Sequence, residues 1–120
     1  MLQGAYGAKV VSKINMSSAT AYASVAAVSD RVYQLLGWAA SSSDHALVAE
    51  VRFGADITGA IKISRRVGAN TTTPSGNSLS EWYGDLGPIA GASEGIFLTT
   101  ILQPASAGNA TAELYYRSLF

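Results

Sequence analysis

The sequence contains no cysteine, one histidine and only three prolines among its 120 residues. The absence of cysteine excludes a disulfide framework, a thiol nucleophile and thiolate metal sites. A lone histidine, His45, leaves no zinc cluster. Its Ser and Asp neighbours in SSSDH (41–45) are too close in sequence to converge on it as a catalytic triad. We therefore predict no cofactor and no metal site, and interpret His45 as an ordinary turn residue.

Charge is also scarce. Eight basic and eight acidic residues make up 13% of the chain and give a formal net charge of zero. Only Arg65 and Arg66 are adjacent, so the chain lacks the basic stripe or patch that binds nucleic acid or a membrane surface. No segment approaches the roughly 20 apolar residues of a membrane span, and the N-terminus lacks the pattern of a signal peptide. We expect synthesis in a cytoplasm, with neither nucleic acid nor membrane as partner.

Small residues are abundant instead. Alanine (20), glycine (12), serine (15) and threonine (8) together supply 55 of the 120 residues. Low charge with no net charge favours association over the solubility of separate molecules. The length is that of one domain, 1–120. The composition therefore predicts a single domain that packs against copies of itself or against another protein.

Alternation of apolar and polar residues predicts an all-β fold. The stretch ALVAEVRF (46–53) places Leu47, Ala49, Val51 and Phe53 on one face and Glu50 and Arg52 on the other. EGIFLTTILQ (94–103) is apolar on both faces, as expected of a central strand. In ITGAIKISRRV (57–67) the same alternation predicts four inward-facing residues: Ile57, Ile61, Ile63 and Val67.

The alanine-rich stretch 17–42 fits two structures. It could form one capped helix. Against a helix, Ser29-Asp30 interrupts the pattern, and the β-branched and aromatic residues that follow favour strands near 20–28 and 31–40. The remaining strands are predicted near 8–15, 78–83 and 111–120. About eight strands separated by turn signals predict an antiparallel, jelly-roll-like sandwich.

Two further segments are predicted outside the strands. Residues 1–7 form an N-terminal arm whose sizeable side chains are Leu2 and Tyr6. Residues 68–78, GANTTTPSGNS, are polar throughout and are expected to form a long loop, which in a compact domain is typically functional or mobile.

The stretch SEWYGDLGPIAGASEG (80–95) combines Glu81, Asp85 and Glu94 with a Trp–Tyr pair. Two carboxylates could hydrolyse a glycosidic bond if they were held about 5 to 9.5 Å apart with one pKa raised. Nothing in the sequence fixes that separation, whereas the frequent glycines and Pro88 suit tight turns. We interpret the stretch as a corner between strands and the chain as a non-enzyme.

Three stretches, 17–54, 80–102 and 111–118, together resemble small β-sandwich structural proteins of tailed bacteriophages. In such proteins a strand with a Gly–aromatic step, here Gly37-Trp38, precedes a short Ser-rich turn, and the C-terminal strand ends in Tyr-Arg. The resemblance implies a virion component, commonly trimeric. Known members serve as capsid decoration (cement) proteins, head fibres, and domains of tail fibres or spikes.

A single compact domain without a stalk favours decoration over a fibre. We therefore predict a capsid decoration protein that stabilises the shell at capsid-subunit junctions, as a homotrimer on the major capsid protein of a virion. The alternative is a glycan- or receptor-binding module of a phage tail fibre or spike, and a small hydrolase using Glu81 and Glu94 ranks third. The predicted partner-binding residues are Leu2, Tyr6, Trp38, Trp82 and Tyr83.

Overall fold

A computed structural model describes residues 10–16, 20–42, 45–72, 77–103 and 109–119. These residues form an antiparallel β-sandwich, which confirms the predicted all-β, jelly-roll-like fold. The strands are β1 (Val10–Met16), β2 (Thr20–Val25), β3 (Tyr33–Ser42), β4 (His45–Gly54), β5 (Ala60–Thr72), β6 (Asn77–Trp82), β7 (Gly95–Gln103) and β8 (Ala110–Ser118). Within this part of the chain, no helix is long and apolar enough to cross a membrane.

The strands form two sheets of four. Sheet I has the order β1-β8-β3-β6, and sheet II has the order β2-β7-β4-β5. Strands β4 and β5 form a hairpin, whereas every other pair of consecutive strands divides between the two sheets, which is the connectivity of a jelly roll. The stretch 17–42 thus contributes two strands rather than a helix, and β7 is a central strand, both as predicted.

The core lies between the sheets and centres on Trp38, which is 1% exposed. Its indole Nε1 donates a hydrogen bond of 3.0 Å to the Tyr83 hydroxyl, so the buried N–H is satisfied. Small side chains suit a close-packed interior that must accommodate an indole ring. The same core cluster contains seven alanines that are almost completely buried: Ala21, Ala23, Ala40, Ala49, Ala90, Ala110 and Ala112.

The alternation predicted for 46–53 is confirmed. For 57–67, the predicted inward orientation is wrong for the first two of the four residues. Ile63 and Val67 pack against the core, whereas Ile57 and Ile61 are exposed. Ile57 lies in the turn before β5. Ile61 faces outward because of a β-bulge, since Val51 pairs with Ile63 while its neighbour Arg52 pairs with Ile61. One extra residue in β5 turns the preceding side chains to the opposite face.

The long loop predicted at 68–78 is also wrong, because β5 continues to Thr72 and β6 begins at Asn77. Pairing with β4 steps from Leu47↔Val67 to His45↔Thr72, so a wide irregularity in β5 replaces the expected loop. Gly68 lies there at φ +87°, and a Cβ on it would lie 2.7 Å from the Ala46 Cβ. Polar composition did not prevent this edge strand from pairing. The predicted arm 1–7 lies outside the described residues.

Candidate functional site

The connection from β6 to β7 runs along the first residues of β3. The Leu35 N–H donates to the Pro88 carbonyl and the Ala90 N–H donates to the Tyr33 carbonyl, each at 2.9 Å. A short 3₁₀ turn, Gly84–Leu86, precedes this pairing. At Gly87, which follows the turn, a Cβ would lie 1.7 Å from the Leu35 carbonyl oxygen. Close backbone pairing therefore fixes the position of the connection on sheet I.

A buried glutamine ties the 3₁₀ turn to the outer face of sheet I. The Gln34 side-chain amide donates to the carbonyls of Asp85 (3.0 Å) and Gly87 (2.9 Å). Its side-chain oxygen accepts a hydrogen bond of 2.7 Å from Arg117 Nε. Arg117 in turn pairs with the Asp85 carboxylate at 3.1 Å. These polar groups hold the turn against β3 and β8 by using one another as partners.

Trp82, the last residue of β6, lies on the outer face of the same sheet opposite Gly37. A Cβ on Gly37 would lie 2.6 Å from Trp82 Cε3, so the missing side chain gives the indole room to lie across β3. On the far side of Gly37, Tyr115 meets the indole edge to face, with ring centroids 6.0 Å apart. The indole is thus positioned from below and from one side, yet Trp82 remains 56% exposed.

Two aliphatic side chains of the connection that follows this tryptophan are exposed. Leu86 is 92% exposed in the 3₁₀ turn, and Ile89, which bridges to Gln34, is also exposed. We name Trp82, Leu86, Ile89 and Tyr115 the Trp82 patch. Exposed apolar groups that gather on one face of a soluble protein mark interaction surfaces.

A second group of side chains runs from the core to the edge where the two sheets meet. Arg65 Nε of β5 donates to the Glu81 carboxylate of β6 at 2.6 Å, which joins sheet II to sheet I. The Tyr83 hydroxyl donates to the other oxygen of Glu81 and accepts from Trp38. Burial alone would raise the pKa of Glu81, but the hydrogen bonds from Tyr83 and Arg65 outweigh it and lower that pKa. Burial, together with the bond to Glu81, raises the pKa of Tyr83 to about 12.

The three carboxylates of 80–95 all make structural contacts. Glu81 binds Arg65 and Tyr83 and remains ionised, which does not suit a general acid. Asp85 pairs with Arg117. Glu94 accepts a hydrogen bond of 2.8 Å from the Gly91 N–H. These contacts are those of a corner between strands, as predicted, and the described residues contain no acidic, histidine or cysteine cluster fit for a metal.

The structure separates the predicted partner-binding residues. Trp82 is exposed, but Trp38 is buried in the core, where its ring cannot contact a partner, and half-buried Tyr83 packs against the core. The three rings therefore do not share one exposed surface. Leu2 and Tyr6 lie outside the described residues.

Sequence reasoning missed three members of the patch. Tyr115 carried a signal, because alternation in 111–120 places it opposite the inward-facing Leu114 and Tyr116. Leu86 and Ile89 carried a weaker signal, as apolar residues inside a glycine-rich turn, where water-facing side chains are expected to be polar.

No protein-family model matches the sequence, and a comparison with curated proteins also gave no match. Several solved structures are similar to this chain at low sequence identity. A Bacillus endospore appendage, described as a disulfide-linked pilus, is 15% identical over 91% of this chain and 84% of that chain, with a TM-score of 0.43. The module CsCBM6-3 from Clostridium stercorarium, in complex with cellobiose, is 13% identical over 88% of this chain and 72% of that chain, with a TM-score of 0.42.

A virus protein has a similar level of likeness. The protein comes from the virus-like particle of the extra small virus of the prawn Macrobrachium rosenbergii. Its chain is 12% identical to this one, over 91% of this chain and 77% of that chain, with a TM-score of 0.36. These identities and TM-scores are too low to assign a function to this chain.

Proposed function

We propose that this chain is a non-enzymatic virion structural protein, a capsid decoration protein that attaches to the major capsid protein through the Trp82 patch. The observation that supports this proposal is the exposed indole of Trp82, held over Gly37 and against Tyr115. The carboxylates nearby are engaged in structural contacts, which leaves binding as the use of this surface. The major capsid protein as partner and the virion as location follow from the sequence resemblance alone.

The patch suits a protein partner on energetic grounds. Burying one large apolar side chain contributes about 1.5–3 kcal/mol, and tryptophan and tyrosine dominate the energetic centres of protein interfaces. Trp82 packs on the backbone at Gly37, and residues 88–90 are hydrogen-bonded to β3. Because these contacts order the residues before a partner binds, binding costs little conformational entropy. Gln34, Arg117 and Asp85 are partners of one another, which reduces the cost of desolvating them.

The test measures binding of the purified full chain to undecorated capsid particles. We expect Trp82→Thr to weaken attachment at least tenfold, because it removes the largest side chain of the patch. Ile57→Thr is the matched control, since Ile57 is exposed in the β4–β5 turn outside the patch. Equal occupancy of particles by wild type and Trp82→Thr would contradict the proposed surface. Failure of the wild type to bind particles would contradict the proposed function.

The predicted N-terminal arm, residues 1–7, is proposed as a second point of attachment to the capsid. Leu2 and Tyr6 are the apolar anchors of residues 1–7, and an extended arm can add hydrogen bonds to a partner's sheet edge. We expect deletion of residues 1–7 to leave the protein folded and oligomeric but to weaken attachment at least tenfold. Bound copies per particle and heat resistance of the decorated shell report this loss, and unchanged occupancy would contradict a role for the arm.

The second candidate is glycan binding, which the exposed face of Trp82 favours because sugar rings stack on aromatic faces. A sugar site also needs polar groups that converge on the ligand, and the amide of Gln34 is already committed to Asp85 and Gly87. Titration with host-surface glycans, followed by tryptophan fluorescence, separates the two functions. Saturable quenching that is lost in Trp82→Thr would favour the glycan.

The number of copies in the virion gives a second criterion. Hundreds of copies per virion would be expected of a protein that decorates the capsid shell, and a few copies would be expected of a tail protein.

A further inference from the structure

A three-residue pattern, Glu-x-Tyr, occurs twice in the chain, and each occurrence contacts a tryptophan. The first is 81–83, where β6 ends, and the second is 113–115 in β8. In both, the tyrosine hydroxyl donates a hydrogen bond to the carboxylate of the glutamate two residues earlier. Alternate residues of an extended chain lie on the same side, so each glutamate restrains the tyrosine next to it on that side.

Each of the two tyrosines meets a different tryptophan. Tyr83, bound to Glu81, accepts the indole N–H of the buried Trp38 at 3.0 Å. Tyr115 meets the indole of the exposed Trp82 edge to face, with ring centroids 6.0 Å apart and 73° between the ring planes. The first series of contacts belongs to the core, whereas the second leads from Glu113 through Tyr115 to the Trp82 patch.

The neighbour of Tyr115 on β3 is a glycine. Gly37 pairs with Tyr115 on one side and with Trp82 on the other. A side chain at this position would stand between the two rings and limit the rotation of each. Because glycine has none, packing against β3 does not by itself select one χ1 rotamer of Tyr115. A tyrosine ring that turned over Gly37 would enter the space in which the indole lies, so the patch depends on what holds Tyr115.

The hydrogen bond to Glu113 supplies this restraint. A carboxylate acceptor makes the bond charge-assisted, and such bonds are about twice as strong as those between neutral groups. The same bond is the main reason that the pKa of Tyr115 is raised, because ionisation would remove the donor. The neighbour of Glu113 on β3 is Ala39, whose small side chain leaves room for the carboxylate to turn along β8 toward the tyrosine.

We propose that Glu113 is a positioning residue of the Trp82 patch. Its carboxylate holds Tyr115, and the Tyr115 ring holds the Trp82 indole in the orientation that attaches to the capsid. Glu113 acts through Tyr115 and not by contact with the partner. Its effect on attachment rests on the proposed function, whereas the orientation of Trp82 is a property of the free protein, so the two are measured separately.

The first experiment measures the surroundings of Trp82 in the full chain without particles. A nitrogen–proton correlation NMR spectrum gives one indole N–H signal for each of the two tryptophans, and Trp82→Thr assigns them. Glu113→Ala and Tyr115→Phe should both move the Trp82 signal, because the ring beside the indole is no longer held, and should leave the Trp38 signal in place. Glu50→Ala is the matched control and should move neither signal, since Glu50 binds Arg52 on sheet II.

Two further variants separate the hydrogen bond from the charge of Glu113. Glu113→Gln removes the charge but keeps an oxygen that accepts from Tyr115, so the Trp82 signal should stay near its wild-type position. The double variant Glu113→Ala/Tyr115→Phe should differ from wild type no more than either single variant, because both substitutions break the same bond. A Trp82 signal that stays in place in Glu113→Ala, or that moves as far in Glu113→Gln, would overturn the proposal.

The second experiment measures attachment of the same variants to undecorated capsid particles. Glu113→Ala and Tyr115→Phe should weaken attachment roughly threefold to tenfold, the range expected for one hydrogen bond, and Glu113→Gln by less than about twofold. Full attachment of a variant whose Trp82 signal has moved would overturn the link between orientation and binding. Particles that do not bind the wild type would contradict the proposed function, and the NMR comparison would still decide whether Glu113 positions Trp82.

Discussion

The two tryptophans of this chain occupy adjacent positions of one strand pair and have opposite environments. Trp38 of β3 pairs with Glu81, and Trp82 of β6 pairs with the neighbouring Gly37. Trp38 is sealed in the core with its N–H bonded to Tyr83. Trp82 rests on Gly37 with more than half of its surface in water, at 56% exposure. The same residue type therefore stabilises the fold in one place and offers a binding surface in the other.

A β-bulge decides which tryptophan is inside. Leu35 pairs with Tyr116 while Gly37 pairs with Tyr115, so Leu36 is an extra residue in β3. Tyr33 and Leu35 face the core before the bulge, and Trp38 faces the core after it. Strict alternation from Leu35 would have turned Trp38 outward. The local irregularity therefore determines the role of the largest side chain in the core.

The largest effect is expected at the buried tryptophan. Trp38→Ala should lower the free energy of unfolding by about 3–5 kcal/mol, because it leaves a cavity and removes the indole N–H that donates to the Tyr83 hydroxyl. The measurement is urea denaturation followed by circular dichroism. Trp82→Ala is the matched variant and should change stability by less than about 1 kcal/mol. Similar losses in the two variants would contradict the division of roles.

A change at Gly37 should connect the two environments. Gly37→Ala places a Cβ 2.6 Å from Trp82 Cε3 and 2.7 Å from the Glu81 carbonyl oxygen, so both must shift. We expect a stability loss of about 1–3 kcal/mol and weaker attachment to particles, although no residue of the patch is altered. Denaturation and the emission spectrum of Trp82 report the two effects. Unchanged emission and attachment would show that Gly37 does not position the indole.

The sequence was sufficient for the fold class but not for the site. Alternation located β4 and the inner face of β8, and apolar character on both faces located β7 as central. Alternation failed at Ile61, where the bulge in β5 shifts it. The sequence predicted Trp38 at a partner surface, whereas the bulge in β3 turns it into the core. Bulges depend on pairing with a distant strand, which a local pattern does not encode.

The patch was hidden for a related reason. Its residues come from β6, the β6–β7 connection and β8, and the Trp82 indole has room beside Tyr115 because Gly37 of β3 lacks a side chain. The sequence does show an aromatic pair at 82–83, but not that Tyr83 packs inward while Trp82 faces outward. That distinction depends on the register of β6 against β3.

A smaller effect, a gain in stability, is expected from a change inside sheet II. Thr100 of β7 is fully buried, and its hydroxyl has no hydrogen-bond partner in the described part of the chain. Thr100→Val keeps the shape and removes the unsatisfied hydroxyl, so we expect the free energy of unfolding to rise by about 1 kcal/mol. Thermal and urea unfolding measure the change. A loss of stability would reveal a partner for this hydroxyl.

The smallest effect is expected where the chain of hydrogen bonds from Trp38 reaches the surface. Glu81→Gln should cost about 0.2–1 kcal/mol at pH 7, since Arg65 is substantially exposed and the ion pair is partly screened. The folded-state pKa of Glu81 is lower than its ordinary value of 4.5, so its charge stabilises the fold above that value. The difference between wild type and variant should therefore shrink as the pH falls below about 4.5 and the folded carboxylate becomes protonated. A difference that stays constant down to pH 2 (roughly two units below the ordinary glutamate pKa) would argue against the ion pair.

The most direct test of the account compares both tryptophans in one sample. Hydroxyl-radical footprinting of the free protein and of protein bound to capsid particles, read by mass spectrometry, reports the accessibility of each indole. We predict that Trp38 is unmodified in both states, and that Trp82 is modified in the free protein and protected at least fivefold (a change on the order of 1 kcal/mol) on the particle. Equal modification of Trp82 in the free and the particle-bound protein would contradict attachment through the Trp82 patch.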